Sequence, residues 1–405
     1  MQLGWIDFSK SERSKVLNVL DLLSEAGTLD ELGIAPIRDG YANLFFPGTS
    51  TIQTKAKYFF CVPYAFKDLE RSGETNPNRM FKALSAVEES CGKKLYHDNP
   101  KSDGIIGRRA LAVGSWVKRA PSDIYWAGIR RLGIFVGGNM SMSEYIRFIC
   151  ASNNQKGTLK NLGNRNDNAE ENDRDDSDAG QDFYKRFWNL PTYTSDWMDT
   201  LSIELTVEEA EFLKKQIVQT CGGTMFSHIM KEHMHDIVEV KNFEELDGSF
   251  IERFPEDIQV DYHHAVSFSE FVYVLRVMYN IIISNGENEE ANEEWRKIEP
   301  ELDSLAAIDI EAIYHRLGVV NPLLRHFLEE CQVHMKAHDI EALKETIIKR
   351  EVHLKGASRA KTKHPGEFDP TAWFGGRRLD YRFADAKTII NDIFEGEKNC
   401  AESEQ

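Results

Sequence analysis

The chain has 405 residues, 41% hydrophobic and 28% charged, which suits a globular protein with apolar residues enough for two or three domains. A net charge of −17 excludes a chain that coats nucleic acid over its whole surface. Six cysteines (Cys61, Cys91, Cys150, Cys221, Cys331 and Cys400) form no CxxC pair, and so fit reduced, buried thiols better than a disulfide frame or a zinc site.

Helix signals open the chain. Ser9-Lys10-Ser11-Glu12 is a capping box ahead of Val16, Leu17, Leu20 and Leu23. The opening, MQLGWIDFSKSER, lacks the basic and apolar regions of a signal peptide, and no apolar run is long enough to span a bilayer. The expectation is a cytoplasmic protein with no membrane attachment. Next comes FFPGTSTIQTKAKYFF, residues 45–60. Ser50 or Thr51 is expected to cap a helix burying Ile52, Ala56, Phe59 and Phe60, which Pro63 then kinks or ends. The alternative is an anion contact at that helix start by Ser50, Thr51, Lys55 and Lys57, although the glycine-rich P-loop is absent.

Asn76-Pro77 places proline at a first helical position. Residues 104–135, GIIGRRALAVGSWVKRAPSDIYWAGIRRLGIF, predict one helix ending near Arg119, a turn at Pro121-Ser122 with Ser122 as cap, and a second helix from Asp123 to Leu132 that stops at Gly133. That outline is helix-turn-helix-like. Residues 104–131 hold six bases, among them Arg108, Arg109, Lys118 and Arg119, against one acid, and Trp116, Tyr125 and Trp126 lie between them. Such a mixture can grip phosphates and stack on bases, or can equally be a solvated face over an aromatic core.

Ser141-Met142-Ser143-Glu144 is a further capping box. Residues 152–182 are rich in Asn, Asp and Gly, with Leu159 and Leu162 their only large apolar residues, and read as an acidic flexible linker or insertion. It divides an N-terminal helical domain, 1–151, from a C-terminal one, 183–395, with a tail at 396–405. Thr206 caps a helix that closes at Gly222-Gly223, and apolar periodicity predicts helices near 268–284, 301–316, 322–335, 338–354 and 383–394. Strand-like patterns are short: Phe59 to Pro63, Ile134 to Val136 and Ile237 to Val240. The fold class is mainly α, a helical multi-domain protein with minor β elements.

The segment 349–382 holds nine bases and four acids. Lys355, Arg359, Lys361 and Lys363 sit at a helix end and in a loop, and Arg377 and Arg378 follow two glycines that permit close approach to an anionic backbone. Enzyme motifs are weaker. His334-Met335-Lys336 and His353-Leu354-Lys355 resemble half of the phospholipase-D-type HxKxxxxD motif, but Glu341 and Ala360 stand where Asp is needed. His228, His233, His235, His263 and His264 lack the spacing of a helical zinc site. These residues indicate no catalytic group, metal or cofactor.

The stretch 27–60, GTLDELGIAPIRDGYANLFFPGTSTIQTKAKYFF, together with IIGRRA (105–110), PSDIYWAGIRRLGI (121–134), MYN (278–280) and RLDYRFADAKTIINDIFEG (378–396), resembles an uncharacterised bacterial family, one of the domains of unknown function. It covers nearly the whole chain outside the acidic insertion. Lys55 or Lys57 replaces an arginine usual there, and Tyr64 stands where tryptophan is expected. The resemblance implies membership of antiphage defence gene clusters, of the Azaca type, beside helicase and phospholipase-D-like nuclease genes. It establishes no catalytic residue. The expected function is therefore a non-catalytic defence component that binds DNA or scaffolds a helicase and a nuclease. An unrecognised nuclease or phosphoester hydrolase, and a pure protein–protein adaptor, stay open as alternatives.

Overall fold

A computed structural model of the protein describes residues 30–163, 187–248 and 250–403. In chain order its α-helices are α1 (Ala35–Phe45), α2 (Tyr58–Arg71), α3 (Pro77–Asp98), α4 (Arg108–Leu111), α5 (Pro121–Arg131), α6 (Met142–Gly163), α7 (Val207–Thr220), α8 (Met225–Lys231), α9 (Glu256–Ile283), α10 (Glu289–Ile298), α11 (Leu302–Leu305), α12 (Ile310–Leu317), α13 (Pro322–Lys336), α14 (Ile340–Lys355) and α15 (Phe383–Ser403). The protein is mainly helical, as expected. Among the described residues there is no strand, and β structure is confined to one isolated bridge between Phe135 and Trp188. The capping box at Ser9–Glu12 lies outside the described residues.

Local signals place most helix starts. The Asn76 side chain accepts the N–H groups of Asn78 and Arg79 ahead of Pro77. Thr206 and Glu209 form a reciprocal capping box, with Glu209 N–H donating to Thr206 Oγ1 and Thr206 N–H to the Glu209 carboxylate. Ser141 and Glu144 do the same for α6. Asn288, Asp309, Asn321 and Asp339 each accept from an N–H three residues on, starting α10, α12, α13 and α14.

Several expectations are corrected. Residues 46–57 are turns, not helix, and α2 begins only at Tyr58, so neither Ser50 nor Thr51 caps it. Pro63 lies inside α2, which continues to Arg71. The missing N–H at Pro63 is tolerated because the helix is held on every side: residues 58–66 are all buried. That all-round burial also explains why Phe59–Pro63 resembles a buried strand in sequence. Ile237–Glu239 belongs to a 3₁₀ turn, His235–Glu239, that ends at Val240, and is not a strand. The helix expected to end near Arg119 is only the four residues of α4, and α5 starts at Pro121 after Ala120 instead of being capped by Ser122. The helix α6 carries through residues 152–163, the first part of the expected linker, while 164–182 lie outside the described residues.

The described residues gather into two compact units that interleave along the sequence. One comprises the described part of Met1–Gly40 with Asp261–Leu379, the other Tyr41–Val260 with the described part of Asp380–Gln405.

In the first unit α13 packs on α14, burying Leu324, Phe327, Leu328, Cys331 and Met335 with Leu343 and Ile347. At about 25 cal/mol per Å², each such side chain stabilises the fold by roughly 1.5–3 kcal/mol. The helix α9 is long and apolar enough by composition to cross a membrane, but 72% of its most apolar window is buried within the protein. In the second unit α2 packs on α3 and α5, and α15 lies on α7. An aromatic cluster runs from Phe66 to Trp126 (5.4 Å between ring centres), Phe135 (4.9 Å) and Tyr145 (4.9 Å). Trp188 closes it 5.6 Å from Tyr145 and donates its Nε1–H to Glu70 at 2.6 Å. Tyr64 is buried against Tyr193 and Trp197.

Candidate nucleic-acid interface

The loop that runs from Gly107 through the single turn of α4 to Ala120 carries a group of exposed cations. It begins at Gly107, whose φ of 80° and close approach to Val117 require glycine. After α4 the chain turns sharply: Ser115 N–H donates to the Ala110 carbonyl at 2.9 Å, and Gly114 adopts φ 73°. Trp116 then folds back onto α3, its ring seated over Gly92 and beside Leu111 and Gly107.

Both ends of the loop are tied to buried groups. Ile106 N–H donates to the Tyr58 hydroxyl at 2.9 Å. On the far side Ser122 N–H and Oγ–H donate to the buried Glu88 carboxylate at 2.6 and 3.2 Å. Burial, the largest cause, pushes the Glu88 carboxyl up to about 7 against these hydrogen bonds.

Anchored this way, the loop presents Arg109, Lys118 and Arg119 exposed, with no carboxylate partner among the described residues. Arg108 is instead paired with Asp103 at 2.7 Å. The nearby Asp123 carboxylate accepts the Ala120 N–H at 3.2 Å. Arg130 and Arg131, which belong to the same basic stretch, donate to the carbonyls of Met140 and Thr220.

The other cations singled out from sequence are largely committed elsewhere. In the same unit Lys57 is buried and bound to both oxygens of Glu209, at 2.9 and 2.7 Å, and Lys55 pairs with Asp392 at 2.7 Å. Thr51 is exposed and Ser50 half-buried, in turns rather than at a helix start.

In the unit containing 261–379, Lys355 pairs with Glu31 and, at 2.8 Å, with Glu351. Lys361 pairs with Glu31 at 3.0 Å and lies 4.0 Å over the Phe374 ring. Arg377 pairs with Glu290 at 2.6 Å and stacks on Trp373, while Arg378 pairs with Glu270 at 2.6 Å and stacks on Tyr273. Arg359 and Lys363 remain exposed, Arg359 donating to the Lys355 carbonyl.

The HxK residues His334, Lys336, His353 and Lys355 lie on α13 and α14, not on a strand and loop. His228 faces the Arg253 carbonyl and His233 the Lys214 ammonium. Among the described residues no group of three or more His, Cys, Asp or Glu could hold a metal ion. What sequence reasoning missed is the seat of Trp116 on Gly92. The signal was a glycine in the middle of a long helical pattern, at a place where alanine would serve the helix better.

Residues 1–164 match a family described as "Family of unknown function (DUF6361)". No curated protein and no solved structure matches the chain.

Proposed function

We propose that the protein is a non-catalytic subunit of a bacterial antiphage system that binds DNA through the 107–120 loop and works beside a helicase and a phospholipase-D-like nuclease. The observation that carries the nucleic-acid part is the loop itself: Arg109, Lys118 and Arg119 stand exposed on a backbone pinned by Trp116, while most other candidate cations are neutralised by carboxylates. With the backbone already pinned, only side-chain freedom is left to be lost on meeting phosphates. The acidic remainder of the chain, at −17 overall, would confine contact to that face. Arg359 and Lys363 would add a second, weaker contact. The defence setting and its partners rest on the resemblance described above.

The test replaces Arg109, Lys118 and Arg119 together with Glu and follows binding of a DNA duplex across salt concentrations. For every phosphate that the variant no longer neutralises, the dependence of log K on log salt should flatten by about 0.9. A triple variant that binds like the parent at every salt concentration would exclude the loop. Purification from the native host, with and without nuclease treatment, tests the partner assignment. A helicase or nuclease retained after treatment supports it, and recovery of the protein alone opposes it.

A further inference from the structure

A cavity of about 270 Å³ opens in the unit that contains 261–379. One wall is the loop from Trp373 to Gly376, held from behind by α9. Asn280, fully buried, accepts the Phe374 N–H at 2.8 Å and donates to the Phe374 carbonyl at 3.0 Å. The Trp373 indole N–H closes the loop on the Gly376 carbonyl at 2.7 Å. Gly375 and Gly376 have φ of 79° and 78°, a region most side chains avoid. Neither glycine N–H has an acceptor among the described residues.

Two guanidinium groups line the same cavity. Arg276 is only 9% exposed, and a Cβ at position 376 would lie 3.6 Å from its Nη1. Its Nη1 also donates to the Arg377 carbonyl. Arg38, paired with Asp39 at 2.9 Å, lines the cavity too.

The acids that share the cavity are matched. Glu31 faces Lys355 and Lys361, and Asp30 accepts the N–H groups of Gly33 and Ala35 at 2.9 and 2.6 Å. Burying so many charged and polar groups beside an open space costs stability, which marks the place as built rather than incidental. Planar guanidinium groups and backbone N–H groups without acceptors are the donors that hold phosphate and carboxylate oxygens.

We propose that this cavity binds a small anionic ligand, its phosphate or carboxylate group seated against Arg276, Arg38 and the Gly375-Gly376 backbone. The volume lies near the lower end of small-molecule pockets, about 300 Å³, which suits a ligand of few atoms better than a nucleic-acid strand. The ligand is therefore distinct from the DNA assigned to the 107–120 loop.

The test titrates the full chain calorimetrically with inorganic phosphate, pyrophosphate and succinate. The parent should bind at least one of them saturably. Arg38→Gln and Arg276→Lys should each weaken that binding by about tenfold or more, and the exposed control Lys349→Gln should leave it unchanged. Arg38→Gln guards against a folding defect in the buried Arg276 variant, and thermal melts accompany both. Binding of the phosphates alone, or of succinate alone, supports the proposal and identifies the anionic group. No saturable binding of any probe up to about 10 mM, an affinity of roughly −2.7 kcal/mol, overturns it, as does unaltered binding in Arg38→Gln. Displacement of the bound probe by a DNA duplex overturns it as well, since the cavity would then belong to the nucleic-acid surface.

Discussion

The Trp116 ring occupies the space that a side chain at position 92 would need: a Cβ on Gly92 would stand 2.6 Å from Cζ3 and 2.8 Å from Cη2 of the indole. The glycine is a notch in α3, and it fixes where the basic loop lies. Gly92→Ala gains about 1 kcal/mol of helix propensity, but the displaced indole costs roughly 1–3 kcal/mol. We expect a net loss of stability in chemical denaturation, together with weaker DNA binding. Adding Trp116→Ala to Gly92→Ala should cost less than the sum of the two single changes, because the clash is gone, and should not restore the binding, because the loop is unpinned.

The Lys57–Glu209 pair is buried on both sides, each side chain 6% exposed. Lys57→Met leaves a carboxylate buried without its cation, held among the described residues by the Thr206 N–H at 2.9 Å. The expected cost is about 3–5 kcal/mol in urea unfolding. The double variant Lys57→Met, Glu209→Leu should regain most of it, as apolar replacement of a buried pair often does. A double variant as unstable as the single one would contradict this account.

Glu88 gives the fold a dependence on pH. Its carboxyl is raised from 4.5 to about 7 in the folded state, chiefly by burial. The folded protein therefore holds a proton that the unfolded chain releases between about pH 4.5 and 7. The associated stability is present below pH 4.5 and is lost as pH rises through 7, an effect of about 3 kcal/mol at most. Glu88→Gln can still accept the Ser122 N–H and cannot ionise. The stability difference between variant and parent should grow in favour of the variant from pH 5 to pH 8. A difference that stays constant with pH would count against the assignment.

Asn280 holds both polar groups of the Phe374 peptide backbone. Asn280→Leu has nearly the same volume but leaves that N–H and carbonyl without their partner. We expect about 2–4 kcal/mol of destabilisation and loss of the small-anion binding proposed for the cavity, with DNA binding unchanged. If the small anion binds as before, the loop does not depend on Asn280.

Helix starts were legible because their chemistry is local. Asn76-Pro77, Ser141–Glu144 and Thr206–Glu209 each satisfy N–H groups two or three residues away, so the chain carries the whole signal in one place. Apolar periodicity placed α13 and α14 for the same reason. The expectation failed at residues 50–57 and 112–119, where hydroxyls and cations suited a helix, yet turns anchored by distant partners prevailed. Thr54 donates to the Gly104 carbonyl, and Trp116 finds its seat on Gly92. Which cations face solvent was hidden altogether. Lys57 and Lys118 look alike in sequence, but Glu209 lies 152 positions from Lys57, and Lys361 meets Glu31 across 330 positions. Sequence by itself determined that the protein is helical and where many of its helices begin, because capping and amphipathic periodicity act over a few residues. Only the tertiary structure decided which charges are spent internally and which remain for a ligand, because ion pairing and close packing depend on neighbours that the chain brings together only once folded.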